Sequence, residues 1–69
     1  MKLTCLVWAE EGMYVAWCPE LDIASQGETI DKAVENLREA IELYLEDEDA
    51  EVPKSTTLVG VLEVKVREA

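Results

Sequence analysis

This 69-residue chain lacks histidine, has few basic residues and contains no long apolar run. Without histidine a Cys–His nucleophile is excluded, and two cysteines alone make a poor zinc site. No stretch approaches the roughly 18 apolar residues that a membrane span requires. The first residues hold one lysine and a short apolar run without a small-residue cleavage site, so we predict no signal peptide and a cytoplasmic protein.

The scarcity of basic residues limits the classes of partner that this chain is expected to bind. Six Lys and Arg face sixteen Asp and Glu, which gives a formal net charge of −10. Direct binding to nucleic acid is disfavoured, because phosphate contacts need a basic surface. The charge favours a basic protein partner, since opposite potentials steer encounter, although acidity also simply keeps a small domain soluble. A chain this short buries only about 60% of its unfolded surface, so we expect it to gain from an oligomer or a partner.

The first half of the chain predicts three short strands. Lys2–Ala9 and Met13–Cys18 carry apolar residues on both faces, which indicates a central strand or a strand covered on both sides. Pro19 ends regular pairing because it has no N–H to donate. A third strand is predicted over Ile23–Gln26, at the edge of the sheet, and Gly27 breaks it.

The turn between the first two strands leaves two registers open. A two-residue turn at Glu11-Gly12 places Cys5 opposite Cys18, whereas a three-residue turn from Glu10 to Gly12 separates them. In either register we expect both thiols to act as small core residues.

A strongly amphipathic helix is predicted to open at Thr29, a plausible N-cap, with Asp31 favourably placed at the positive end of the helix dipole. Its apolar residues recur at spacings of three and four: Ile30, Ala33, Val34, Leu37, Ala40, Ile41, Tyr44 and Leu45. The acid run Glu46–Glu51 then frays the helix end. It is either a solvated exit loop or a landing site for Lys and Arg of a partner.

A final strand is predicted over Leu58–Arg67, which gives the order β-β-β-α-β and an α+β class. The first three strands form an antiparallel meander. The helix crosses over so that the last strand lies parallel to the first, in the sheet order 3-2-1-4. One helix covers only one face, so the other face and the edge of the last strand remain open. We predict that at least one of these surfaces is buried in a homodimer.

Four motifs in residues 14–45 together resemble the HicB antitoxin family, including its short HicB-like members. The sequence of this segment is YVAWCPELDIASQGETIDKAVENLREAIELYL. The four motifs are a Tyr-Val-Ala strand, a Cys-Pro turn, a Gly-x-Thr before the helix, and an Ala-x-x-Asn-Leu-x-Glu-Ala helix. In this chain they are Tyr14–Ala16, Cys18-Pro19, Gly27–Thr29 and Ala33–Ala40. The match covers about half of the chain directly.

The resemblance implies a degraded ribonuclease-H-like fold. It also implies an antitoxin that masks a small basic HicA-type ribonuclease toxin and represses its own operon. Full HicB proteins carry a C-terminal DNA-binding domain, whereas this chain is expected to form one HicB-like domain over residues 1–69. We therefore expect toxin binding rather than operator binding.

Two other classes of function compete with the antitoxin reading. A metal-dependent nuclease would use acids near the turns and the helix start as Mg²⁺ ligands, with Glu20, Asp22, Glu28 and Asp31 as candidates. Their spacing fixes no metal and they have ordinary structural reasons to be there, so we expect no enzyme, metal or cofactor. The third class is a stand-alone dimeric interaction module.

The candidate functional residues are therefore interface residues. Aromatic side chains tend to anchor interfaces, and exposed apolar and acidic positions extend the set. We assign to a partner or dimer interface Trp8, Tyr14, Trp17, Leu43, Glu46, Asp47, Val64 and Val66. Gly27 and Asn36 are expected to be structural, Gly27 in its turn and Asn36 through a hydrogen bond near the helix.

Overall fold

The computed structural model describes residues 2–51 and 61–67, and in them a three-stranded sheet followed by one helix. The elements are β1 Leu6–Glu10, β2 Met13–Cys18, β3 Ile23–Gly27 and α1 Ile30–Leu45. The strands pair antiparallel in the order β1-β2-β3. This confirms the α+β class and the antiparallel meander.

The hairpin between β1 and β2 uses the two-residue turn. Glu10 pairs with Met13 and Leu6 with Trp17, so the loop is Glu11-Gly12. Both loop residues have positive φ, 48° and 81°, as the tight hairpin turns that match strand twist require. The register places both tryptophans on the same face of the sheet.

The first strand begins at Leu6, so the predicted start at Lys2 was wrong. Continuing the register would place Thr4 opposite Pro19, which has no N–H to give. The carboxylate of Glu20 instead accepts the hydrogen bonds of Thr4. The Thr4 N–H donates to its two oxygens at 3.0 and 3.1 Å, and the Thr4 hydroxyl donates to Oε2 at 2.6 Å.

Leaving the ladder at Leu6 also separates the cysteines. In the two-residue register Cys5 would face Cys18, but Cys5 lies before the strand and is exposed while Cys18 is buried. Both are free thiols. The expectation that both pack in the core therefore holds for Cys18 and was wrong for Cys5.

The helix begins as its sequence predicts. The Thr29 hydroxyl accepts a hydrogen bond from the Lys32 N–H at 3.1 Å, which satisfies one free donor of the first turn. Asp31 lies in that turn, near the positive end of the helix dipole. No basic residue lies in the last turn, and the helix ends at the acidic cap residue Glu46.

The core lies between the helix and one face of the sheet. Its fully buried members are small except for one leucine: Ala16, Cys18, Ala33 and Leu37. The helix packs mainly over β3 and β2 and scarcely reaches β1. Gly27 is required at the crossing, because a Cβ there would lie 2.6 Å from the Ala33 nitrogen.

The predicted final strand is not shown. Its first residues, 58–60, lie outside the described residues, and residues 61–67 are in neither a helix nor a strand and are exposed. A strand needs a ladder with a neighbour, and residues 61–67 make none with the described sheet. Among the described residues no helix is long and apolar enough to cross a membrane.

Candidate protein-interaction surfaces

The face of the sheet turned away from the helix carries an apolar patch. Paired residues of neighbouring strands share a face, so the register arranges this patch in two rows. We call it the open face, and its rows are Leu6–Trp17–Ala24 and Trp8–Val15–Gln26. Leu6 and Trp8 are 47% and 43% exposed. Neither of these rows contains a charged residue, but the next pair on the same face, Glu10–Met13, brings the Glu10 carboxylate to the end of the patch. Exposed apolar patches often serve as contact surfaces in proteins, and the described residues leave this patch exposed.

Large and small residues are distributed unevenly over the open face. Trp8 stands on β1, whereas β3 contributes only Ala24 and Gln26 on this side. A shallow hollow of about 230 Å³ lies over β3, bordered by Val15, Ala24 and Gln26. The patch thus has a large, half-exposed ring at one side and a shallow hollow at the other.

Carboxylates near the strand ends hold both indole rings. Trp17 Nε1 donates to Asp22 Oδ1 at 2.9 Å, and Trp8 Nε1 donates to Glu10 Oε2 at 3.3 Å. Asp22 has a positive φ of 52°, which an aspartate tolerates better than most residues. Because the polar atom of each ring is already bonded within the chain, the rings present mainly apolar surface on the open face.

A stripe of acids runs along the exposed side of α1. Its members recur at spacings of four, four, three and four and are all exposed: Asp31, Glu35, Glu39, Glu42 and Glu46. At 1.5 Å per residue this acidic stripe is about 22 Å long. The buried helix residues Ala33 and Leu37 point the opposite way. Leu43, which is 69% exposed, lies next to the stripe near its end.

A second concave region lies between the N-terminal segment and the helix. This groove has a volume of about 520 Å³ and is bordered by apolar side chains, Leu3, Val34, Leu37 and Ile41, with Lys2, Arg38 and Glu42 at its rim. It lies at the start of β1, on the side of the sheet that the helix covers.

Two of the four acids considered as candidate Mg²⁺ ligands, Glu20 and Asp22, make separate structural contacts in the part of the chain that the structure describes. Glu20 binds Thr4, and it also accepts from the Cys18 thiol with Sγ 3.5 Å from Oε1. Asp22 binds Trp17. Within residues 2–51 and 61–67 no three His, Cys, Asp or Glu side chains converge as metal ligands would.

Cys18 has a perturbed thiol. Burial raises its pKa above the ordinary value, and the hydrogen bond from the thiol to Glu20 and the charge of that carboxylate raise it further. Hydrogen bonds from the backbone of Leu21 and Glu20 oppose this in part. Cys18 is therefore an unreactive core thiol at neutral pH.

The predicted interface residues do not form one site. Trp8 and Trp17 share the open face, whereas Tyr14 lies on the other face and packs against the core. Glu46 and Leu43 belong to the exposed end of the helix, and Asp47 follows them, its Oδ1 accepting from the Asp49 N–H. Val64 and Val66 lie in the exposed segment 61–67.

The interface residues predicted from the sequence did not include four acids of the stripe, Asp31, Glu35, Glu39 and Glu42. The spacing that predicted the apolar side of the helix also defines this stripe, so the sequence contains the signal. Asn36 is structural as expected, and its partner is now known. Its Nδ2 donates to the Gln26 carbonyl at 2.8 Å, at the outer edge of β3.

Comparison with known proteins places the chain among small bacterial proteins. It is 41% identical over 58 residues to UPF0150 protein ssr1258 of Synechocystis sp., which covers 83% of this chain and 81% of that one. A second Synechocystis protein, UPF0150 protein ssr1765, is 45% identical over 60 residues, or 81% of this chain and 76% of the relative.

A UPF0150 protein of Helicobacter pylori is 32% identical over 69 residues, which is 93% of this chain and 96% of that protein. No family model matches the chain. No solved structure matches it either. The identities and coverage show that the chain belongs to the UPF0150 family.

Proposed function

We propose that this UPF0150 chain is a HicB-like antitoxin-type protein that binds and masks a small basic ribonuclease toxin of the HicA type. The observation that carries the proposal is the acidic stripe, because it aligns five carboxylates on the side of α1 opposite the core. The four motif pieces that resemble the HicB family support the same reading. The chain itself is proposed to have no enzymatic activity.

Charge provides the mechanism of masking. A ribonuclease needs basic side chains to hold the phosphates of its RNA, and the stripe offers carboxylates to the same side chains. Opposite potentials speed the encounter and suppress wrong partners, although each exposed pair adds little affinity alone. Leu43 supplies an apolar contact beside the charges.

The proposal includes the complete ribonuclease-H-like arrangement, with a final strand parallel to the first. Two features support it. The outer edge of β1 has no described neighbour, and the groove at its start is apolar. Residues 62–67 alternate between apolar Leu62, Val64 and Val66 and charged residues, the pattern of a strand with one buried face. A cytoplasmic location follows from the same function.

Inhibition of the toxin tests the proposal. The test takes any small basic protein encoded by a gene adjacent to that of this chain, and measures its cleavage of single-stranded RNA with and without this protein. We expect stoichiometric inhibition that weakens as salt is raised. The stripe variant E35K/E39K/E42K is expected to lose inhibition by at least about tenfold in apparent affinity.

The matched control changes the net charge equally away from the stripe. The variant E10K/E11K/E63K also replaces three exposed acids by lysine, all of them off the helix and outside the acid run that follows it, and it is expected to keep most of the inhibition. Equal losses in the two variants would show that only net charge matters. A wild-type protein that neither binds nor inhibits the basic neighbour would contradict the antitoxin assignment.

The alternative is a stand-alone dimeric module without a toxin partner, and the open face favours it. Absence of a basic neighbour that co-purifies, together with stable self-association, is the result expected from this alternative.

A further inference from the structure

We propose that the open face binds an extended, arginine-bearing segment of another protein, and that one guanidinium lies on the exposed ring of Trp8 beside the Glu10 carboxylate. The inference goes beyond the proposed toxin contact. It concerns the uncovered face of the sheet, whereas the acidic stripe lies on α1, which packs on the opposite face. The two surfaces are therefore separate.

The sheet contains acidic residues and no basic residue of its own. From Leu3 to Ile30 the sequence has no Lys or Arg, and its acids are Glu10, Glu11, Glu20, Asp22 and Glu28. The bases of residues 2–51 lie elsewhere, Lys2 at the groove beside the helix and Lys32 and Arg38 in α1. The sheet therefore attracts cations. A second copy of it would bring further carboxylates, whereas a basic segment brings the opposite charge.

Each tryptophan of the open face has a carboxylate at the edge of its ring. Glu10 Oε2 lies 3.3 Å from Trp8 Nε1, and Asp22 Oδ1 lies 2.9 Å from Trp17 Nε1. A carboxylate has about four acceptor positions and the indole N–H uses one, so the group can also accept from a guanidinium. A guanidinium stacked on the indole ring gains a cation–π contact at the same time. The Trp8 ring is half-exposed and so accessible to it.

The spacing of the two rings fits an extended chain. Trp8 pairs with Val15, so Trp17 is its diagonal neighbour on the same face, about 7 Å away. Alternate residues of an extended chain point to the same side and are also about 7 Å apart. Two arginines separated by one residue therefore match the two indole–carboxylate pairs, whereas adjacent arginines point to opposite sides.

Binding of a short arginine peptide to the full chain tests the inference. The probe is the acetylated and amidated peptide Gly-Arg-Ser-Arg-Gly. NMR follows the indole N–H resonances of Trp8 and Trp17, the only two tryptophans of the chain, which the variant Trp17→Phe assigns. We expect both resonances to shift, with a midpoint below about 1 mM peptide that rises as salt is added.

Two further peptides separate recognition from simple attraction. One replaces both arginines by citrulline, which keeps the shape and removes the charge. The other, Gly-Arg-Arg-Ser-Gly, keeps the charge and makes the arginines adjacent. Each should bind at least about threefold more weakly than the probe, because the first loses the cation and the second presents one guanidinium at a time.

Paired variants that remove two charges each locate the site. E10Q/D22N neutralises both carboxylates of the open face but keeps an oxygen acceptor for each indole N–H, and asparagine tolerates the positive φ of Asp22. We expect the affinity for the probe to fall at least about fivefold, with circular dichroism showing a retained fold. E35Q/E39Q removes two charges from the acidic stripe instead, and its indole shifts should keep their midpoint within about twofold.

Three results would overturn the inference. One is an absence of indole shifts up to about 5 mM probe. Another is an equal loss in E10Q/D22N and E35Q/E39Q, which would mean that only net charge attracts the peptide. The third is a change in the indole resonances of the peptide-free protein in K65Q/R67Q, since segment 61–67 of the same chain would then occupy the open face. None of these measurements involves a toxin, so the two proposals fail separately.

Discussion

The two outer strands of the sheet, β1 and β3, are fixed to the molecule by different kinds of contact. β3 lies beneath the helix, where Gly27 permits close approach to Ala33 and Asn36 binds the Gln26 carbonyl at the strand's outer edge. β1 has little helix above it, and Leu6 and Trp8 are exposed. Its N-terminal extension is attached by the Glu20 carboxylate instead of by a ladder.

The two outer strands therefore differ in how much of their surface the described residues cover. β3 is stabilised by contacts within the chain, and its edge is partly occupied by a side chain. β1 is stabilised mainly by pairing with β2, and none of the described strands or helices covers its outer edge or its open face. Within residues 2–51 and 61–67 the one helix covers only part of the sheet, and the part it leaves uncovered is the β1 side.

Gly27→Ala should have the largest effect and should act on the β3 side. The added Cβ would lie 2.6 Å from the Ala33 nitrogen and 2.8 Å from the Lys32 carbonyl carbon, so the helix must shift. We expect a loss of about 2 to 3 kcal/mol in the free energy of unfolding, measured with urea. The control is Gly12→Ala, where no atom lies within 4 Å and only the positive φ costs about 1 kcal/mol. Equal losses would mean that the helix–β3 junction is not tightly packed.

Glu20→Ala tests the attachment on the β1 side. It removes the acceptor of the Thr4 N–H and hydroxyl, and we expect a loss of about 1 to 2 kcal/mol in the free energy of unfolding. Amide hydrogen exchange should show faster exchange at Thr4 and no change at Val15 in the central strand. Unchanged protection at Thr4 would show that the carboxylate does not hold this segment.

Asn36→Leu should have a smaller effect. It removes the donor to the Gln26 carbonyl, an exposed hydrogen bond that we expect to contribute about 0.5 to 1 kcal/mol. The variant should also leave the β3 edge open, so light scattering at high concentration should detect more association. Unchanged stability and unchanged association would both argue against an edge-protecting role.

The smallest expected effect is a loss of stability at alkaline pH that comes from the Cys18 thiol. The folded chain raises the pKa of Cys18 above its ordinary value of 9.0, so above that pH the unfolded chain loses the thiol proton first. Stability that is fully present below about pH 9 should therefore fall as pH rises towards the folded pKa. Urea unfolding between pH 8 and pH 10 should show a shallower fall in Cys18→Ala. Cys5→Ala, an exposed thiol, is the control, and an equal slope in all three proteins would contradict the assignment.

The parts of the fold that depend on local sequence were predictable. The Thr29 cap, the helix and the two segments paired around Glu11-Gly12 follow from spacing and turn residues. The hairpin register did not, because it depends on Glu11 adopting a positive φ, which few non-glycine residues do. The start of β1 was also unpredictable, since it is set by Glu20, sixteen residues away from Thr4.

The predicted interface residues also divide into positions that the local sequence could have placed and positions that depend on other strands. Tyr14 and Trp17 are three positions apart in one strand and so must lie on opposite faces, which the alternation alone would have revealed. That Trp8 joins Trp17, and that a hollow forms beside them, depends on the register and on the small residue Ala24 in a different strand. Such combinations across strands are not visible in the spacing of any one segment.

The glutamate at the tip of the hairpin affects how the protein can be engineered. Glu11 occupies a left-handed conformation in a turn for which Asn-Gly is the preferred pair, so its conformation costs about 1 kcal/mol. Replacement by asparagine recovers part of that cost at a position remote from the helix. A variant with this additional stability tolerates a wider range of changes on its binding surfaces before it unfolds.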